Sequence, residues 1–198
     1  MQKSWYLNIK DLNPWAYTEK LFTPEECEAI KLIADKLDVE EAQVGNLQGG
    51  KIEIRHNLRK NRVAWIDSDA EESKWIFRRL TDSLNTVNEQ FWKFDLDYIE
   101  ALQYTMYDQK DDHYGSHMDI SFRSTHYRKL SFTVQLDEDT SYEGGDLEIS
   151  VGSEFVKTGQ RGVGTVIYFP SFMHHRVSPV TEGKRRSLVG WVCGSAFK

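Results

Sequence analysis

Three side chains of metal-binding type fall in two short segments of the chain. The first segment is His117-Met118-Asp119, the only place where one of the six histidines is followed two residues later by an acid. On an extended strand, residues two apart point to the same side, so this imidazole and carboxylate can grip one ion together. The second segment, Phe169-Pro-Ser-Phe-Met-His-His175-Arg-Val-Ser-Pro-Val180, puts a further imidazole at a strand end, and Gly183-Lys-Arg185-Arg-Ser187-Leu-Val-Gly-Trp191 follows with a strand arginine. Two His and one carboxylate on one face of a non-haem metal leave adjacent positions open, the facial-triad arrangement of Fe(II) chemistry. Open positions let a bidentate organic acid and O2 bind side by side. A fixed cation nearby would anchor the acid's far carboxylate. Arg185 suits that task, because its planar fork pairs bidentately and its charge does not titrate away.

These residues must be positioned by a fold, and the 198-residue chain has material for one compact core: 39% hydrophobic and 13% aromatic residues. Such an aromatic content argues against disorder. The formal charge of −6 argues against a duplex nucleic acid as partner. No apolar run approaches the roughly 20 residues of a membrane helix, and the start MQKSWYLNIKDLNPW lacks a signal-peptide core. Cys27 and Cys193 cannot build a disulfide framework, and a cytoplasmic protein with no membrane partner is the expectation.

The front of the chain reads as helical. Thr23-Pro-Glu-Glu26 carries a capping box with Pro at the first helical position, and Cys27, Ile30, Ile33 and Leu37 mark one face. A strand at Arg62–Ile66 leads to a second helix over Glu71–Phe91, with Trp75, Ile76, Leu80 and Leu84 turned to the core. From Leu96 onward strands dominate: Leu96–Tyr107, Leu130–Leu136, Asp146–Ser150, Gly164–Phe169 and Arg185–Val192. Turn sequences at Tyr142–Gly145, Gly159–Gly162 and Glu182-Gly183 separate them. Many short strands without intervening helices predict a mainly β, antiparallel jelly roll, with the helices against the outside of the sheets. Residues 1–198 read as a single domain: 1–95 a helical support and substrate-side segment, 96–194 the core.

At this point the chain resembles a known family, the iron(II)- and 2-oxoglutarate-dependent dioxygenases of the prolyl 4-hydroxylase-like group, of PKHD-type. The matching segments, within Ile99–Cys193, are Tyr107 with Tyr114-Gly-Ser-His117-Met-Asp119, Leu130–Leu136, Tyr142-Glu-Gly-Gly-Asp-Leu147, and His175-Arg-Val-Ser-Pro-Val through Arg185–Trp191. The resemblance implies a double-stranded β-helix, with His117, Asp119 and His175 as iron ligands and Arg185 on the C5 carboxylate of 2-oxoglutarate. It also implies Tyr107 as a hydrogen-bond donor to that co-substrate, and ascorbate (vitamin C) as a reductant. The implied reaction is hydroxylation of an unactivated C–H with release of succinate and CO2, and Asp119 fills the place that halogenating relatives leave to chloride. The acceptor it suggests first is a peptidyl residue such as proline, in a peptide or protein. A free amino acid, another small molecule or a nucleobase is the alternative. The chain departs from the family at Gln135, where many prolyl hydroxylases carry Tyr. Strand parity puts Ser187 and Trp191 on the side of Arg185, so Ser187 is placed to supply the missing hydrogen bond and Trp191 to wall the pocket.

Competing readings attach to several neighbours. His174 faces away from His175 on a strand, and the family pattern selects His175. His113 and His126 read as solvated loop residues, with His126 or Arg128 able to reach substrate. Arg186 and Lys184 read as solvent-facing charge and Arg161 as a turn residue. The basic stretch 51–62 reads as a solvated loop, with a lid over a peptide or nucleic acid as the minority view. A catalytically silent jelly roll that binds a ligand or partner, and a zinc hydrolase, are the remaining alternatives; the latter leaves Arg185 without a task.

Overall fold

The computed structural model describes residues 12–45, 52–120 and 126–196. Part of the basic stretch lies outside the described residues. Helix α1 spans Pro24–Ala34 and starts as its sequence requires: the Glu26 amide donates to Thr23 Oγ1 at 3.2 Å, and the Thr23 amide to Glu26 Oε2 at 2.9 Å. Such caps contribute about 1 kcal/mol. Helix α2 spans Lys74–Phe91 behind a single 3-10 turn, Glu71–Ser73, and turns Ile76, Leu80, Leu84 and Val87 inward. Arg79 joins the helices through Glu26 at 2.9 Å. Among the described residues no helix is long and apolar enough to cross a membrane.

The strands form two principal sheets. The larger, of eight strands, runs in the order Ala16–Thr18, Val166–Pro170, Tyr127–Gln135, Arg185–Gly194, Leu102–Tyr107, Arg62–Ile66 and Glu40–Glu41, with Tyr98–Ile99 added beside Arg185–Gly194. The smaller, of five, runs Glu154–Lys157, Leu147–Val151, His175–Val177, His113–His117 and Arg59–Lys60. All pairings are antiparallel. This is the jelly-roll architecture the sequence predicts.

Strand parity divides the large sheet into two faces. Leu102, Tyr104, Leu130, Phe132, Val134, Leu188 and Val192 point outward and pack under both helices. Each such side chain, fully removed from water, contributes about 1.5–3 kcal/mol. The alternate residues, including Gln103, Thr105, Tyr107, Thr133, Arg185, Ser187 and Trp191, point inward to a cleft between the sheets. A second small core of Leu147, Ile149, Ile167 and Phe169 lies between the sheets.

Four expectations need correction. The Leu96–Tyr107 segment is two strands, Tyr98–Ile99 and Leu102–Tyr107, with the register against Arg185–Gly194 shifting by one residue between them: Ile99 pairs with Val192 but Gln103 with Val189. His113 is half-buried in the His113–His117 strand rather than in a loop. Arg186 is not a simple surface charge: its amide donates to Asp137 Oδ2 and its Nη2 to Asp137 Oδ1, both at 2.6 Å. Arg161 is more than a turn residue. It donates to the Gly144 and Tyr142 carbonyls and to Asp146 Oδ1, bracing Tyr142–Gly144, which is a short strand paired with Val180–Gly183 where turns were expected.

Candidate metal centre

His117 ends one strand of the small sheet and His175 begins its neighbour, and the two are directly paired across the ladder. Asp119 lies just past the strand, not on it. Its amide donates to the Ser171 carbonyl at 3.0 Å, which folds the segment back toward the histidines. The three converge. His117 Nε2 lies 3.5 Å from Asp119 Oδ1 and His175 Nε2 3.4 Å from Asp119 Oδ2, and one donor atom from each of the three residues lies within 4.8 Å of the others.

Each ring's other nitrogen is tied down. His117 Nδ1 sits 2.8 Å from the Gly115 carbonyl and His175 Nδ1 3.0 Å from the Met173 carbonyl. A carbonyl only accepts, so both rings carry a proton on Nδ1 and turn Nε2 to the carboxylate. Burial, with His117 nearby, pushes the His175 imidazolium down to about 4 despite Asp119, so this ring is neutral near pH 7. Burial would raise the Asp119 carboxyl. Its His175 and His117 neighbours and the Ser131 hydroxyl, which donates at 2.6 Å, more than reverse that and hold it well below the usual carboxylate range. Two imidazole Nε2 atoms and a carboxylate converging within 4.8 Å form a ligand set for a cation. The donor set fits a borderline divalent metal such as Fe(II).

His174, by contrast, is exposed, with its Nδ1 3.3 Å from Ser116 Oγ, as strand alternation requires.

Arg185 is 2% exposed at the deep end of the same cleft. It donates to Gln135 Oε1 at 3.2 Å and Ser187 Oγ at 3.4 Å, and its Cζ sits 5.2 Å from the Tyr107 ring. Its Nε has no partner, and among the described residues no carboxylate pairs with it. An unpaired buried guanidinium facing a cleft is a receptor for a carboxylate. Gln135 thus helps to orient Arg185. Trp191 walls the cleft, capped by Arg128 at 3.9 Å and flanked by Trp65 at 6.1 Å. His126 sits on the surface over Tyr98.

Sequence reasoning left Tyr114 and Arg59 out of the site. Tyr114 stacks on the His117 ring at 3.6 Å, and Arg59 lies over Tyr114 at 4.4 Å. Arg59 was read with the solvated basic stretch, yet it is 7% exposed and pairs in register with Tyr114.

An antiparallel jelly roll with a His/Asp/His cluster and a buried Arg in one cleft defines the 2-oxoglutarate–iron oxygenase class, and residues 102–193 match the family model described as 2OG-Fe(II) oxygenase superfamily. A PKHD-type hydroxylase of Prochlorococcus marinus is 32% identical over 88% of this chain and 76% of its own. One of Synechococcus is 43% identical over 42% of this chain, and that match spans 38% of the relative. The chain belongs to the PKHD-type hydroxylase family. Among solved structures, a Pseudomonas putida prolyl-4-hydroxylase aligns over 92% of this chain and 94% of its own, with TM-score 0.70 and 20% identity. A Trichoplax adhaerens prolyl hydroxylase, solved with a hypoxia inducible factor peptide fragment, aligns over 91% and 83%, with TM-score 0.70 and 15% identity. At such identities these likenesses speak to the fold.

Proposed function

We propose that the protein is an Fe(II)- and 2-oxoglutarate-dependent dioxygenase that hydroxylates an unactivated C–H. The observation that carries this reading is the shared cleft: the converging His117/Asp119/His175 cluster and the Arg185 guanidinium, which no described carboxylate pairs, face the same space. In the balanced reaction, 2-oxoglutarate, O2 and R–H give succinate, CO2 and R–OH. The iron would supply the oxygen-activating chemistry.

The chain's own residues do the rest. His117, Asp119 and His175 would hold the ion, and the Gly115 and Met173 carbonyls keep both imidazoles presented through Nε2. Ser131 and Ser171, 2.9 Å apart, fix the Asp119 carboxylate. Arg185 would take the far carboxylate of 2-oxoglutarate, with Ser187 and Gln135 holding its fork and Tyr107 beside it. Trp191 would shield the reacting end from water.

A peptidyl residue such as proline is the first acceptor, in keeping with the peptide bound by the Trichoplax relative. A free amino acid or other small molecule is the second reading, favoured by the charge on Arg59. In this reading residues 1–198 form a single domain, residues 96–194 its catalytic core, and ascorbate keeps the metal reduced. Two buried, unpaired thiols suit a reducing cytoplasm. The test is anaerobic titration with Fe(II) and 2-oxoglutarate. A weak visible charge-transfer band, and a higher Tm with Mn(II) plus 2-oxoglutarate, are expected. Neither band nor stabilisation leaves a catalytically silent jelly roll.

A further inference from the structure

Arg59 is a second buried guanidinium on the cleft that holds Asp119 and Arg185. Its Nε donates to Asn61 Oδ1 at 3.0 Å, one terminal nitrogen to Gln103 Oε1 at 2.7 Å, and the other to the Gln43 carbonyl at 3.4 Å. All three acceptors are neutral amides. Among the described residues no carboxylate pairs with it. An arginine remains charged whatever its burial, and an isolated charge is costly to keep out of water. The Tyr114 ring 4.4 Å away offsets only part of that cost. Of its five N–H donors three are used, which leaves one on each terminal nitrogen, the paired geometry that accepts a carboxylate.

The charge balance of the loaded cleft points the same way. One Asp119 carboxylate, a divalent ion, a dicarboxylate co-substrate and the Arg185 guanidinium sum to zero. Arg59 then leaves one positive charge uncompensated beside the ring that stacks on His117. We propose that Arg59 receives a carboxylate of the acceptor, so that the molecule hydroxylated is a free amino acid or the C-terminal residue of a peptide rather than an internal one. This rests on the oxygenase reading above and narrows its substrate class.

The probe is acetate, added to protein loaded with Mn(II) and saturating 2-oxoglutarate. Ionic strength is held with chloride, and acetamide is the neutral isostere. At ten times its Kd, acetate should raise Tm by about 3–5 °C, acetamide should not, and Arg59→Gln should abolish the shift while Mn(II) and 2-oxoglutarate still bind. If Arg59→Gln fails to load, Arg59→Lys replaces it, with the acetate Kd expected to rise at least fivefold. An acetate shift that survives in the loaded variant, or one matched by acetamide in the wild type, overturns the inference. Failure of the wild type to load Mn(II) and 2-oxoglutarate sinks the oxygenase assignment instead. Succinate release with pools of free amino acids and of short peptides, each against its C-terminal amides, then separates the two sources. Stimulation by one free-acid pool identifies the source. Equal stimulation by the amides, or by neither free-acid pool, overturns the proposal.

Discussion

Replacing Gly145 by Ala should weaken 2-oxoglutarate binding without touching the metal-binding cluster. Gly145 follows the braced Tyr142–Gly144 strand at φ +62°, and a Cβ there would lie 2.8 Å from Arg185 Cδ and 3.0 Å from Val180 Cγ2. Two costs follow. A left-handed backbone costs a non-glycine residue roughly 1–2 kcal/mol, and the forced contact adds about 1–3 kcal/mol of overpacking. The Arg185 stem is the flexible side of that contact, so the guanidinium yields and its hydrogen bonds to Gln135 and Ser187 are lost. A misplaced charged hydrogen-bond donor is worth about 1.5–3 kcal/mol, or roughly a 10- to 100-fold rise in the Kd of 2-oxoglutarate. Gly152→Ala is the control: its φ is +69°, yet nothing lies within 4 Å of the added Cβ. It should cost only the backbone part, about 1 kcal/mol in urea unfolding, and leave 2-oxoglutarate affinity unchanged. Calorimetric titration of Mn(II)-loaded protein reads both. Equal 2-oxoglutarate affinities in the two variants would refute the steric argument.

Three other outcomes are expected. Asp137→Ala strands Arg186 and removes one of the two acidic partners of the Lys31 ammonium, itself 4% exposed, and should cost about 3–5 kcal/mol in urea unfolding; a loss under 1 kcal/mol would mean the network is incidental. His175→Ala should lose Mn(II) binding measured by equilibrium dialysis, whereas His174→Ala should retain it, and the reverse result would reassign the ligand. Burial pushes the Cys27 thiol up to about 12 and, with Glu100 beside it, the Cys193 thiol up to about 11. A raised thiol pKa means less thiolate, so at pH 8 iodoacetamide should label both at least about a hundredfold more slowly in the folded protein than in urea.

Local signals carried much of this site. The capping box at Thr23 starts α1, alternation turns His174 and His175 opposite ways while the family pattern picks His175, and parity aligns Arg185, Ser187 and Trp191 on the cleft. What the sequence could not reveal depends on partners far along the chain. Arg59 sits in a basic stretch whose composition reads as solvated, and only its pairing with Tyr114 buries it. Arg186 looked exposed because Asp137, 49 residues away, is invisible to periodicity. The break near Glu100 is a one-residue register shift against a strand some ninety residues later, where propensity favoured one continuous strand.

The alternation on the Arg185–Gly194 and Tyr127–Gln135 strands has a consequence for how such a protein can change. Outer positions such as Leu188 and Phe132 answer to the helices above them, while Val189 and Thr133, one step along, answer only to whatever occupies the cleft. Selectivity can therefore drift at every second residue while folding stability is conserved by the others. A library randomised at those inner positions should stay folded yet scatter in its preferred acceptors.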